Sequence, residues 1–286
     1  MNWPDSLVAE IAERRCIVFL GAGASASSVD PATGNRPPSW KQLLEDALAL
    51  VADPAITPLV KDLIVKEQYL DAAEITFSRF EPSDSRIFFR SRLYTPRYEK
   101  SEIHEIVLEL DPKILITTNY DEIYDSFCTC GDARDGYSIR KYYDDNVLDE
   151  IRSTARLVLK AHGCITDTTK MVLTRSEYFH ARARHAGFFS ILDSLFLVNT
   201  LLFIGYSLSD PDITLVLETA QLSAPSRHPH YALVPTGKHS AIVKAIKDTY
   251  NVRLLEYENE AGDHSGGLVA LRELRDLVNS YRSTYA

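Results

Sequence analysis

Apolar runs of strand length recur along the chain, each broken by a small or polar turn and most of them followed by helical periodicity. The first, "CIVFLGAGAS" (16–25), ends in a glycine loop. "KILITTNYDEIYDSF" (113–127) repeats the design, "ARLVLKAHG" (155–163) supplies a third strand, and "TLLFIGYSLSDPDITLVLETA" (200–220) a fourth with its helix. Two shorter strands, "HYALVP" (230–235) and "NVRLLEY" (251–257), are separated by a predicted helix over 237–249. Strands apolar on both faces and alternating with helices predict an α/β fold, a Rossmann-like parallel sheet covered by helices on both faces.

About ninety residues between the first two strands have helical spacing instead. In "SWKQLLEDALALVA" (39–52), Ser39 is a candidate N-cap and apolar positions fall at 43, 44, 47, 48 and 51. Further helical patterns cover roughly 58–80, 85–94 and 101–110, after a loop marked by Gly34, Pro37 and Pro38. The expectation is one domain over 1–286 with a helical insertion at about 39–110. "CTCGDARDGYS" (128–138) is predicted as a loop, 176–199 as a buried helix, and 266–282 as an amphipathic terminal helix that closes the domain or joins subunits.

Composition narrows the class. With 286 residues, 45% hydrophobic and 25% charged, the chain can bury a sizeable core. No apolar run approaches the roughly 20 residues of a membrane span. The opening "MNWPDSLVAEIAERR" lacks the pattern of a signal peptide, so a cytoplasmic location is expected. The net charge of −9 argues against direct nucleic-acid binding, because neutralising phosphates supplies most of such affinity. Cys128 and Cys130 form C-x-C without the second pair that a four-cysteine zinc site needs, and no metal site is expected.

Candidate chemistry gathers at the strand ends. A strand leading into Gly21-Ala22-Gly23-Ala24-Ser25 offers backbone N–H groups and close approach to a phosphate, or is simply a tight strand–helix turn. An ordinary dinucleotide dehydrogenase is disfavoured, since no strand ending in an acidic residue follows about twenty residues on. Thr117, Thr118, Asn119 and Asp121 follow the second strand; Asn119 can orient a water or hydroxyl, while Asn119 or Asp121 could equally cap the next helix. His162 and Gly163 end the third strand. Gly205, Ser207, Ser209 and Asp210 end the fourth, where Ser209 or Asp210 before Pro211 also makes a helix start. A Cys164/His162 catalytic pair and a metal site at His162 both lack the companions they require. A base and a hydrogen-bonded structural histidine remain the two readings of His162.

The motifs "GAGAS", "TTNYD", "AHG" and "GYSLSDPD", in this order and spacing and with "PSW" at 38–40, resemble the sirtuin-like (silent information regulator 2-like) family. The resemblance is specifically to its prokaryotic antiphage-defence branch of NAD-consuming effectors, and covers residues 16 to 215. It implies an NAD+ pocket at the C-terminal edge of the sheet. Gly21, Ala22, Gly23 and Ser25 would cradle the pyrophosphate; Asn119 would lie by the nicotinamide ribose; Thr118 and Asp121 would line the pocket, Asp121 near the carboxamide; Gly205 and Ser207 would meet the adenosine side; and His162 would be catalytic. The glycine loop lacks the G-I-P-D-F-R continuation of protein deacetylases, and the four-cysteine zinc module is missing.

The resemblance therefore implies an NAD+ hydrolase that releases nicotinamide and ADP-ribose and depletes NAD+ in abortive infection. Such an enzyme requires restraint, and homo-oligomerisation or a separately encoded HerA-like ATPase or Argonaute-like partner would supply it. The alternatives are a module that binds NAD+ or ADP-ribose without turnover, and a protein deacylase or ADP-ribosyltransferase.

Overall fold

Seven parallel strands form one sheet in the computed structural model, which describes residues 1–130, 137–260 and 262–285. They are β1 (Cys16–Leu20), β2 (Ile114–Thr117), β3 (Tyr137–Lys141), β4 (Arg156–Lys160), β5 (Thr200–Ile204), β6 (His230–Pro235) and β7 (Val252–Tyr257). The spatial order is β3-β4-β2-β1-β5-β6-β7. The chain leaves β1 toward β2 on one side and β5 toward β6 on the other. The winding therefore reverses between β1 and β5, where open α/β sheets bind their ligands.

Alternation along the strands sends successive side chains to opposite faces, and both faces are covered. Ile17, Phe19, Ile116, Leu159 and Phe203 pack against helices Arg175–Arg184, Ala186–Val198 and Pro211–Ser223. Val18, Leu20, Leu115, Val158 and Ile204 pack against Asp5–Ala12, Glu102–Leu110 and Ser265–Tyr285. This double burial explains why the central strands read as continuous apolar runs. Among the described residues, no helix is long and apolar enough to cross a membrane.

Four of the helices between β1 and β2 build a lobe of their own. Trp40–Val51, Thr57–Val65, Tyr69–Phe77 and Pro82–Leu93 share a core of Leu44, Val60, Ala72, Phe88 and Phe89 with their neighbours. Ser39 caps the first by accepting from the Gln42 N–H at 3.2 Å, as its sequence position predicts. The lobe reaches the sheet edge through Cys164, Ile165, Met171 and Leu173, which lie in its aromatic cluster. Cys164 is thus a core residue beside the segment that carries His162.

Several expected elements differ in detail. The pattern over 58–80 is two helices, broken where Glu67 takes a left-handed φ of 58°. Helix Glu102–Leu110 belongs to the sheet layer, because Ile106, Val107 and Leu110 pack beneath β1 and β2. The span 176–199 is also two helices, and the second buries only one face: Phe188, Leu192 and Phe196 are inside, whereas Leu197 is 47% and Val198 75% exposed. The predicted loop 128–138 contains 131–136, which lie outside the described residues, and its end already belongs to β3. That edge strand, "YSIRK", is half-exposed throughout and carries no apolar run.

Candidate active site

Pairing aligns the ends of the four central strands. Leu20 sits opposite both Thr117 and Ile204, and Thr117 sits opposite Lys160. The residues that follow, from Gly21, Thr118, Ala161 and Gly205 onward, therefore start at one level of the sheet edge.

The β1 and β5 loops touch backbone to backbone. The Gly21 N–H donates to Ile204 O at 2.9 Å, and the Gly23 N–H to Gly205 O at 2.8 Å. A Cβ on Gly21 would stand 2.4 Å from Gly205 O, and one on Gly205, whose φ is 63°, would stand 2.5 Å from the Ala24 nitrogen. These glycines are required by loop-to-loop packing, and the N–H groups of Gly21 and Gly23 are already engaged. Ala22 opens the short helix Ala22–Ser25, so its N–H has no intrahelical partner.

The β2 loop is tied to β1 by a chain of hydrogen bonds. Thr117 Oγ1 donates to Leu20 O at 2.7 Å and accepts from the Asn119 N–H at 3.0 Å. Asn119 Nδ2 donates to Gly21 O at 3.1 Å and to Ser25 Oγ at 3.0 Å. Ser25 in turn donates to Asp121 Oδ2 at 2.8 Å, while Asp121 Oδ1 accepts from the Ile123 N–H at 3.0 Å. Because the Ser25 proton is committed to a carboxylate, its oxygen must accept from Asn119. That assigns the amide: both Nδ2 hydrogens point inward, and Oδ1, which has no partner and is not buried, faces outward. Asp121 thus serves as the local cap through Oδ1, while Oδ2 is engaged by Ser25. Thr118 is half-buried, and its hydroxyl has no hydrogen bond among the described residues.

Lys160, at the end of β4, is a site-forming residue that sequence reasoning passed over. Its buried ammonium donates to Asp121 O at 2.5 Å and to Asp125 Oδ2 at 2.8 Å. Burial pulls its pKa down, but the surrounding acidic groups, Asp125 foremost and Asp121 among them, together outweigh burial and hold it above the ordinary lysine range. The detectable signal was a lysine closing an apolar strand two residues before His162. Glu122, Asp125 and Cys164 bring metal-type donor atoms within 4.8 Å of one another, and the Lys160 ammonium already supplies a cation to that cluster.

His162 occupies a separate cluster and is only 3% exposed. Its Nδ1 lies 3.4 Å from Tyr178 OH, and its Nε2 lies 3.6 Å from Asp210 Oδ2. Tyr178 donates to the same Asp210 oxygen at 2.7 Å. Burial, and then the Asp210 charge, pushes the Tyr178 phenol well above its ordinary pKa, so it remains a donor. Asp210 divides its carboxylate. Oδ1 caps helix Pro211–Ser223 by accepting from the N–H groups of Asp212 and Ile213, while Oδ2 faces Tyr178 and His162. The helix start was legible in "SDPD"; the second oxygen's use, and Tyr178, were not. Gly163 has a φ of 81°, and a Cβ there would meet Lys170 O at 2.3 Å, so only glycine permits this turn after His162. Ser207 and Ser209 are exposed, their hydroxyls 2.6 Å apart.

The proposed site residues thus form three groups: the packed loops of Gly21, Gly23 and Gly205; the Ser25–Asn119–Asp121 network; and His162 with Tyr178 and Asp210. A cavity of about 300 Å³ lies at the opposite sheet edge, lined by Arg15, Thr200, His230 and Asn251 among others. Open α/β sheets bind ligands at the carboxyl ends of their strands, and the convergent polar groups are there too.

Comparison with known proteins accords with this geometry. A family model described as "SIR2-like domain" matches residues 113–255, half of the chain. The NAD(+) hydrolase ThsA of Enterococcus faecium is 24% identical over 283 residues, covering 94% of this chain and 55% of that protein. ThsA of Cytobacillus dafuensis is 29% identical over 212 residues, covering 72% and 38% respectively. Defense-associated sirtuin 2 of Bacillus subtilis is 28% identical over 121 residues, 40% of this chain and 11% of that protein. The chain spans about half the length, or less, of these curated relatives.

Proposed function

The chain belongs to the SIR2-like domain family, and on that premise we propose that it is an NAD+ hydrolase that cleaves the nicotinamide–ribose bond. The observation that carries the reading is the fixed amide of Asn119. A carbonyl oxygen without a protein partner, held outward at the sheet edge beside the glycine loop, is an acceptor for a water or a ribose hydroxyl. Relatives named NAD(+) hydrolase add independent support.

Nicotinamide leaves as a neutral molecule from a cationic ring, so catalysis depends on positioning and on stabilising an oxocarbenium-like state. Asn119 Oδ1 would orient the attacking water or ribose hydroxyl. His162 would take a proton, with Asp210 holding the imidazolium that results and Tyr178 setting the ring's orientation. Gly21, Ala22 and Gly23 would let the pyrophosphate approach the backbone, with Ala22 supplying its free N–H. Thr118, Asp121, Gly205 and Ser207 would complete the pocket. The products are nicotinamide and ADP-ribose.

In this reading residues 1–286 act as one NAD-binding domain, with the helical lobe at about 39–110 as a subdomain. The protein works in the cytoplasm without contacting nucleic acid directly, and depletes NAD+ during phage infection. Homo-oligomerisation or a separately encoded partner, such as a HerA-like ATPase or an Argonaute-like protein, restrains it. Incubating the purified protein with NAD+, alone and with its gene neighbour, tests the activity by nicotinamide release. Binding without release in both conditions would overturn it.

One observation favours a second reading. Both His162 ring nitrogens face protein groups, and the ring is buried. A module that binds NAD+ or ADP-ribose without turnover has no need of an accessible base. A H162A variant that retains full nicotinamide release would remove His162 from the chemistry.

A further inference from the structure

His104 has no part in the chemistry above, yet it lines the same small cavity as Asn119. It sits in the first turn of helix Glu102–Leu110, 1% exposed, on the wall of a small cavity shared with Ser25, Asn119, Asp121, Tyr124 and Lys160. The Ser101 N–H donates to His104 Nδ1 at 3.0 Å, so that nitrogen carries no proton and the ring's hydrogen is on Nε2. That Nε2–H is buried and meets no protein acceptor. A buried donor left in this state is costly, and buried water usually relieves it. The cavity offers about 10 Å³ to the centre of a water molecule, the room that one water takes.

We propose that His104 is a positioning residue for Asn119, acting through one water held between its Nε2–H and the Asp121 carboxylate. The water accepts from His104 and donates to Asp121. Asp121 accepts from Ser25, and Ser25 accepts from Asn119. Each link has one permitted direction, so the inward donor on His104 steadies the carboxylate that orders the rest. Asn119 Oδ1 is thereby kept facing outward. The kinetic arm of this inference rests on the hydrolase reading; the placement of the water does not.

Two substitutions separate the two ring nitrogens. In H104N the amide Oδ1 stands where Nδ1 does and keeps the Ser101 cap, while the inward donor is lost. H104Q keeps an inward N–H and gives up the cap. H104N should lower kcat for nicotinamide release by about tenfold or more, with KM within about twofold, as expected when a reacting group is misplaced rather than a binding contact removed. H104Q should stay within about threefold of wild type. The double variant H104N/S25A should be no slower than the slower of its single variants, because both break one chain. Additive losses, an H104Q as slow as H104N, or a loss that simply follows the fall in Tm would overturn the proposal.

If wild type releases no nicotinamide under any condition, the hydrolase reading fails, and crystal structures decide the positioning role. An ordered water bonded to both His104 Nε2 and Asp121, together with a rotated Asn119 amide in H104N, would support it. An empty cavity or an unmoved Asn119 would sink it.

Discussion

Asn119 faces Gly21 O and Ser25 Oγ with hydrogens, and only an amide can do so while presenting an oxygen outward. N119D is nearly isosteric, yet it sets a carboxylate oxygen against the Gly21 carbonyl and against a hydroxyl already donating to Asp121. We expect N119D to lose nicotinamide release by about a hundredfold or more, as removing one preorganised group does in other enzymes, with its far-UV spectrum unchanged. An active N119D would mean that Oδ1 orientation is irrelevant. At Asp210 the two oxygens can be tested apart. D210N retains a capping oxygen for the Asp212 and Ile213 N–H groups and removes the charge facing His162. Its stability should fall by no more than about 1 kcal/mol in a urea titration, while kcat falls far more than KM rises. "TTNYD" and "AHG" made Asn119 and His162 visible as candidates in the sequence. Lys160 was within reach as the lysine closing the strand before His162, whereas Tyr178 and His104 were not legible, because they meet the site through folds of the chain that no local spacing encodes.

Elements set the level at which these side chains stand, and their interiors can be tested independently of activity. Lys160 ends β4 with its ammonium buried on Asp125. Removing one partner of a buried pair leaves the other charge unpaired, so K160M should destabilise the protein by about 3–5 kcal/mol in chemical denaturation. The double variant K160M/D125L should recover much of that loss. At the start of β6, His230 Nδ1 accepts from the Leu201 N–H of β5, and burial lowers the pKa of this histidine to about 4. The unfolded chain binds the proton first as pH falls below about 6.5, so the stability held by neutral His230 is complete above that pH and drains away toward pH 4. Between pH 7 and pH 5 the loss is about 2 kcal/mol, and in H230Q the urea-measured pH slope across this window should flatten by that amount. The central strands were legible because burial on both faces writes an unbroken apolar run. β3 was missed because an edge strand with half-exposed residues has no such signature. The helix breaks at Glu67 and His185 were hidden by apolar spacing that continues across them.

At the scale of the whole molecule, a chain of net charge −9 does not draw an anionic pyrophosphate by its overall field, so any affinity for NAD+ has to come from the local pocket. Ligand that binds only the folded state raises its stability by about 2.7 kcal/mol at one hundred times Kd, which for a chain of this size is a Tm shift on the order of 5 °C. This linkage separates a hydrolase from a sensor in one experiment. In a sensor the shift is the same however long protein and NAD+ stand together. In a hydrolase it decays with preincubation as substrate is consumed, in step with nicotinamide appearing, and it persists in N119A, which binds without turning over. G21A supplies the control for the pocket itself: a Cβ placed 2.4 Å from Gly205 O forces the two loops apart, and the shift should vanish at every time point. A stable shift in wild type, with and without the neighbouring gene product, would leave a binding module; one that decays in wild type, persists in N119A and is lost in G21A would place NAD+ cleavage at the sheet edge between β1, β2 and β5.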